Sequence, residues 1–274
     1  MYHRRAAQML TPGQVPDEFP PPGDVPPAPP DAPAPAGPPG PAPLSRARAV
    51  GEAVLCSSYP TQIVAAALLW ALGIGASAEG GLNATFIIAV SLLDAALVVA
   101  LIVYFLRRRG ESIGAVMFGT APGWREAALG VALVLPVTFG VALLVAAVRA
   151  VWPSLQNVPV NPLTALMSDP RRVVIFAVVV VLAGGVREEM QRAFQLHRLT
   201  PGVLPPGLAL LVTSVAFGLG HTVQGRDVAL ATFALGALWG AMWLRRRSIL
   251  AAAVCHALFN LGQVLAALAV GRQL

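Results

Sequence analysis

The sequence predicts an all-α fold: a polytopic transmembrane helix bundle of about seven spans behind a disordered, Pro-rich N-terminal tail. Hydrophobic residues make up 56% of the 274 and charged residues 12%, against roughly 25% charged in a soluble domain. Several runs approach or exceed the ~20 apolar residues that cross a bilayer. The nineteen basic residues are all Arg, and most gather beside apolar runs. Backbone groups in lipid must bond within their own segment, and these runs are too long for barrel strands, so the spans are expected to be helices.

The first element is the tail, residues 1–50. Residues 11–45 hold fifteen prolines among Ala, Gly and Asp, a composition that cannot bury a core and favours extended polyproline conformations. No basic residue closely flanks its PxxP steps, so it reads as a cytoplasmic tether rather than a ligand for a Pro-binding domain. Arg4 and Arg5 have no apolar run behind them, so no cleaved secretory signal is expected.

The membrane domain, residues 51–274, follows with spans at about 58–78, 84–106, 126–150, 172–198, 206–223, 228–244 and 249–270. Trp124, Trp152 and Trp243 fall near predicted ends, where aromatic anchors sit. Arg107, Arg108 and Arg109 close the second span and Arg245, Arg246 and Arg247 the sixth. Both triplets become cytoplasmic with seven spans and a cytoplasmic N-terminus, while Arg171 and Arg172 fall outside as an exception to the positive-inside pattern. The formal charge of +6 therefore belongs to topology, with membrane lipids and not nucleic acid as the expected partner. Cys56 and Cys255 border or lie in apolar runs, too few and too apolar for a disulfide framework or a Cys-rich zinc site. No internal repeat is visible, which disfavours an inverted-repeat transporter.

Ionisable groups inside the apolar spans carry the functional information. Each costs about 2.5–3.5 kcal/mol at a helix centre, and so must be paired or face a wet cavity. Span 4 holds Arg187, Glu188, Glu189 and Arg192, span 5 ends at His221, span 7 holds His256 and span 2 holds Asp94. Glu188 and Arg192, Phe217 and His221, and His256 and Asn260 are each four apart, which puts each pair on one helix face. A Glu beside a His can deprotonate a water, and a second His with an Asn can hold the oxyanion formed on an amide carbonyl. Glu188, His221 and His256 equally suit a zinc site of two His and one Glu. Asp94 has no local partner and reads as one half of a structural pair. His197 and Arg198 read as the interfacial end of span 4.

These residues resemble the CPBP family of intramembrane proteases, related to the type II CAAX prenyl protease and to bacterial abortive-infection and bacteriocin-processing proteins. The resemblance covers residues 171–265. It rests on Glu188-Glu189-Met-Gln-Arg192-Ala-Phe194, Phe217-Gly-Leu-Gly-His221 and His256-Ala-Leu-Phe-Asn260. It implies an intramembrane endopeptidase of the cell membrane acting on a peptide or membrane-protein substrate. Glu188 and His221 would then activate water, His256 and Asn260 would stabilise the oxyanion, and Glu189, Arg192 and Phe217 would support them. No cofactor is expected, with zinc on Glu188, His221 and His256 as the alternative. The family pattern has three residues between the Glu pair and the Arg, whereas this chain has two. Aligned on Arg192 and Phe194, the family's first Glu falls on Arg187, which cannot act as a base; aligned on the Glu pair, Glu188 is the base. A pseudoprotease that binds a partner peptide, or a small transporter using the same polar residues, is the competing function. His221 near the outer end of its span and His256 near the inner end of its own would not meet if both helices stood straight and upright.

Overall fold

The computed structural model describes residues 44–78, 81–159, 161–163 and 170–271. The Pro-rich tail up to residue 43 lies outside them. The helices are α1 (Arg46–Leu55), α2 (Tyr59–Ala71), α3 (Ala84–Arg108), α4 (Ile113–Phe118), α5 (Gly123–Val151), α6 (Pro170–Val179), α7 (Glu188–Leu199), α8 (Pro206–Leu219), α9 (Arg226–Arg246) and α10 (Leu250–Gly271). A π-helical segment, Val180–Arg187, joins α6 to α7 without a break. The sole strand pairing among the described residues is Ser77–Ala78 against Gly81–Leu82. Helicity begins at Arg46, five residues ahead of the boundary placed at 51.

Local chemistry sets the helix ends. The Asn83 side chain accepts from the backbone N–H groups of Thr85 and Phe86 to start α3, and the Ser112 hydroxyl accepts from Ala115 to start α4, satisfying donors that have no partner within the helix. Pro60 lies in the first turn of α2 and Pro206 in that of α8, where a missing N–H costs nothing.

The structure supports fewer than the seven spans expected. Among the described residues four helical runs are long and apolar enough to cross a membrane: α3, α4 with α5, α9, and α10. A fifth counts if α1 and α2, inclined at 41°, are one broken span. α8 has 14 residues, and at ~1.5 Å per residue it is roughly 21 Å long, short of the ~30 Å hydrocarbon core. Its shortness also resolves the mismatch in depth: the Phe217 ring lies 6.4 Å from that of His256, so the end of α8 reaches the second turn of α10.

α7 is the buried centre of the bundle. Phe194 and Leu196 pack with Ile102, Leu106, Met117 and Trp243 in one core cluster, and Trp239, Cys255 and Phe259 form a second beneath α5. Trp243 is therefore no interfacial anchor. It is 2% exposed and donates Nε1–H to the Val116 carbonyl at 3.2 Å, because α4 folds back over the end of α9. That contact, with Ile249 N–H on the Met117 carbonyl at 2.8 Å, sets both Arg triplets at one end of the bundle. Trp124 and Trp152 are exposed.

The same end holds a buried ion cluster. Arg198 donates to Glu52 of α1 at 2.6 Å and to Glu111 at 2.7 Å, so it is a tie between helices and not an interfacial side chain. Glu111, in the loop after α3, also accepts from Arg109 at 2.7 Å and faces His197 Nε2 at 3.1 Å. Burial pushes its carboxyl upward, but the bonds from Arg198 and Arg109 outweigh that and hold it below the usual carboxylate range.

Candidate active site

The first turn of α7 presents two carboxylates in different directions, since neighbouring positions on a helix lie about 100° apart. Glu189 points inward, 2% exposed. It accepts from Arg192 three residues on and faces His256 Nδ1 of α10 at 2.9 Å. The Arg192 guanidinium lies over the rings of Phe217 at 4.4 Å and Trp239 at 5.6 Å. Trp239 in turn stacks on His256, with centroids 3.8 Å apart and planes 19° apart. Arg192 thus pairs with Glu189, not with Glu188 as the four-residue spacing suggested, and aromatic walls shield that pair from competing water.

Glu188 is less buried and turns to open space, with its Oε2 3.8 Å from His256 Nε2. His221 follows α8, its Nδ1 2.9 Å from the Phe217 carbonyl. A carbonyl only accepts, so Nδ1 carries the hydrogen and Nε2 keeps its lone pair. Asn260, one turn beyond His256, lies with Nδ2 3.5 Å from the Val180 carbonyl of the π segment. Gly184 and Gly185 permit this approach: a Cβ on Gly184 would stand 2.5 Å from Asn260 Nδ2, and one on Gly185 2.8 Å from the Ala257 Cα. Breaks of the π type cluster at functional sites.

Two cavities meet at Glu188 and His221. One is a groove of about 1460 Å³ with walls that include Val141, Phe176, Val180 and Val264, and it also takes in His256 and Asn260. The other, about 70 Å³, is lined by polar groups including Ser58, Gln62, Gln191 and Thr213. A water needs about 10–15 Å³ on this measure, so the smaller chamber has room for several. Glu188, His221, His256 and Asn260 therefore share one groove, with Glu189, Arg192 and Phe217 in the wall behind them. Among the described residues no group of three or more His, Cys, Asp or Glu side chains is arranged to hold a metal ion.

Residues 170–262 match the family model of Rce1-like type II CAAX prenyl endopeptidases. This segment is similar to that family. It runs from the first residue of α6 to just past Asn260 and contains Glu188, Glu189, Arg192, Phe217, His221, His256 and Asn260. With four to five runs among the described residues long and apolar enough to cross a membrane, the chain is a multi-pass membrane protein, and its segment 170–262 is similar to CAAX-type prenyl endopeptidases. No curated protein and no solved structure gives a significant match.

The groove also brings in residues that sequence reasoning did not assign to the site. Arg187 donates Nη1–H to Ser58 Oγ at 2.7 Å and to Gln191 Oε1 at 2.9 Å. Its Nη2 stands 3.4 Å from Asp94 Oδ2 and 3.5 Å from Glu188 Oε1. Asp94, fully buried, accepts from the Thr61 hydroxyl, which gives it the structural pairing expected. Asp94, with no partner on its own segment, needed a cation from another, and Arg187 on span 4 was one the sequence offered. Trp239 offered a further signal, since it lies well inside its span and not at an end.

Proposed function

We propose that this chain is an intramembrane endopeptidase in which Glu188 and His221 activate a water for attack on a peptide bond at the membrane. The observation that carries this reading is that the Glu188 carboxylate and His221 stand where the polar chamber opens into the apolar groove. An apolar substrate segment enters by one side and water by the other. A water between them donates one hydrogen to Glu188 and one to His221 Nε2, which turns its lone pair toward the carbonyl carbon. Glu188 takes the proton as the C–O bond forms, and returns it to the leaving amine as the C–N bond breaks.

The oxyanion falls to His256 and Asn260. Ionised Glu189 can only accept, so His256 Nδ1 carries a hydrogen toward it. In the role of oxyanion donor the ring carries hydrogens on both nitrogens, Nδ1–H toward Glu189 and Nε2–H toward the groove. Asn260 Nδ2–H supplies a second donor, and a single such donor is typically worth about 10²–10³ in kcat. Glu189 and Arg192 orient His256, and no metal is required by this scheme.

The test is cleavage of a quenched peptide library by purified protein in liposomes, with Glu188→Ala and His221→Ala, each with and without a chelator. Loss in both variants with indifference to chelator supports the glutamate route, whereas chelator sensitivity moves the reading to zinc on Glu188, His221 and His256. Wild-type protein that cleaves nothing, or variants that cleave as well, returns the chain to a peptide-binding pseudoprotease or a transporter.

A further inference from the structure

Arg187 stands between two carboxylates that cannot both have it. Asp94 Oδ2 is 3.4 Å from its Nη2 and Glu188 Oε1 is 3.5 Å from the same atom. These two, from α3 and α7, are the charged groups recorded within ion-pair reach of it; its contacts with Ser58 and Gln191 are neutral. The second buried guanidinium, Arg192, is committed to Glu189. We propose that Asp94 is a positioning residue that holds the Arg187 guanidinium back from Glu188, leaving the Glu188 carboxylate free to take a proton from water; this rests on the reading of Glu188 as the base.

Several features agree. Asp94 has no exposed surface, and its Oδ2 has no hydrogen-bond partner among the described residues and faces Arg187. Its other oxygen is fixed by Thr61 of α2. Arg187 is anchored on its far side by Ser58, a residue whose φ of 68° lies in the left-handed region that side chains with a Cβ avoid. The strained turn sets the Ser58 hydroxyl 2.6 Å from Gln191 and 2.7 Å from Arg187. Ser58, Thr61 and Asp94 all lie outside the segment 170–262 that matches the family model.

Without the charge on Asp94, a buried guanidinium would be left with Glu188 as the carboxylate in reach, and a forked pair with it would occupy both oxygens of the base. The experiment compares wild type, Asp94→Asn and the double variant Asp94→Asn/Arg187→Gln in liposomes. It reads kcat and KM on a quenched peptide, and separately the modification of Glu188 by dicyclohexylcarbodiimide, located by mass spectrometry. Asp94→Asn is expected to lower kcat by about tenfold or more with KM within about threefold, and to suppress labelling of Glu188 to a similar degree. The double variant, which removes the competing cation as well, returns both readouts to near wild type. Asp94→Asn that works and labels like wild type overturns the proposal, and so does a folded double variant that stays as impaired as the single one. If Asp94→Asn does not fold, the double variant decides alone: wild-type labelling supports the restraint and lost labelling overturns it. Labelling needs no turnover, so absence of cleavage in every sample counts against the protease reading and leaves this one to be decided by Glu188 chemistry.

Discussion

Gly184→Ala adds one carbon to the wall of the groove and should lower the proposed peptidase activity about 10²-fold without unfolding the protein. The new Cβ would stand 2.5 Å from Asn260 Nδ2 and 3.8 Å from its Cγ. Ordinary contact begins near 3.4 Å, so the amide nitrogen must retreat by about 0.9 Å, and a misplacement of about 1 Å can cost 10²-fold. That is about 2.7 kcal/mol of transition-state stabilisation. The obstructed atom is the tip of a flexible side chain, so the fold can yield there, and Ala is a better helix former than Gly by about 1 kcal/mol. The assay is kcat/KM for a quenched peptide in liposomes beside thermal unfolding in detergent. Gly185→Ala is the contrast: its Cβ would meet the Ala257 Cβ at 2.6 Å and Cα at 2.8 Å, so α10 and the π segment must part and the unfolding temperature should fall. Gly184→Ala that keeps full activity while Asn260→Ala loses it would refute the reasoning, since the amide would then not be positioned by this contact.

Glu188→Gln should lower turnover by about 10²–10⁴-fold with little change in unfolding temperature, whereas Glu189→Gln should lose stability too, because breaking a buried pair costs about 3–5 kcal/mol; thermal scans beside kinetics separate the two. Trp239→Ala removes the platform under His256 and should lower kcat more than KM by about two- to tenfold, the worth of one aromatic pair, with Trp239→Phe recovering most of it. Glu111 is held below its ordinary 4.5, so its contribution to stability is full above that value and is lost as pH falls through the folded value. Glu111→Gln should lower the unfolding temperature at neutral pH and flatten its decline in acid, as pH-dependent thermal unfolding would read.

What the sequence determined by itself is the solvent and the inventory of the site. Composition and run length establish a helical membrane bundle, because lipid leaves a backbone no other partner. Glu188, Glu189, His221, His256 and Asn260 were singled out as candidates because polar groups in apolar helices are costly, and the structure gathers them around one groove. Tertiary structure decided how those residues divide the work. The partner of Arg192 could not be read from spacing, since positions three and four away are both neighbours on a helix, and Glu189 won it through contacts with α9 and α10. The π segment ends at Arg187 and, by adding a residue per hydrogen-bonded turn, rotates everything after it relative to an α-helical count. Against the seven spans expected, four to five helical runs among the described residues meet the length and apolarity of a span, because hydropathy measures apolar length and not helix breaks, and α2 and α8 stop short. Asp94 and Arg187, 93 positions apart, meet only because α3 and the π segment pack side by side, and a pairing of that kind is a property of packing that local pattern does not contain.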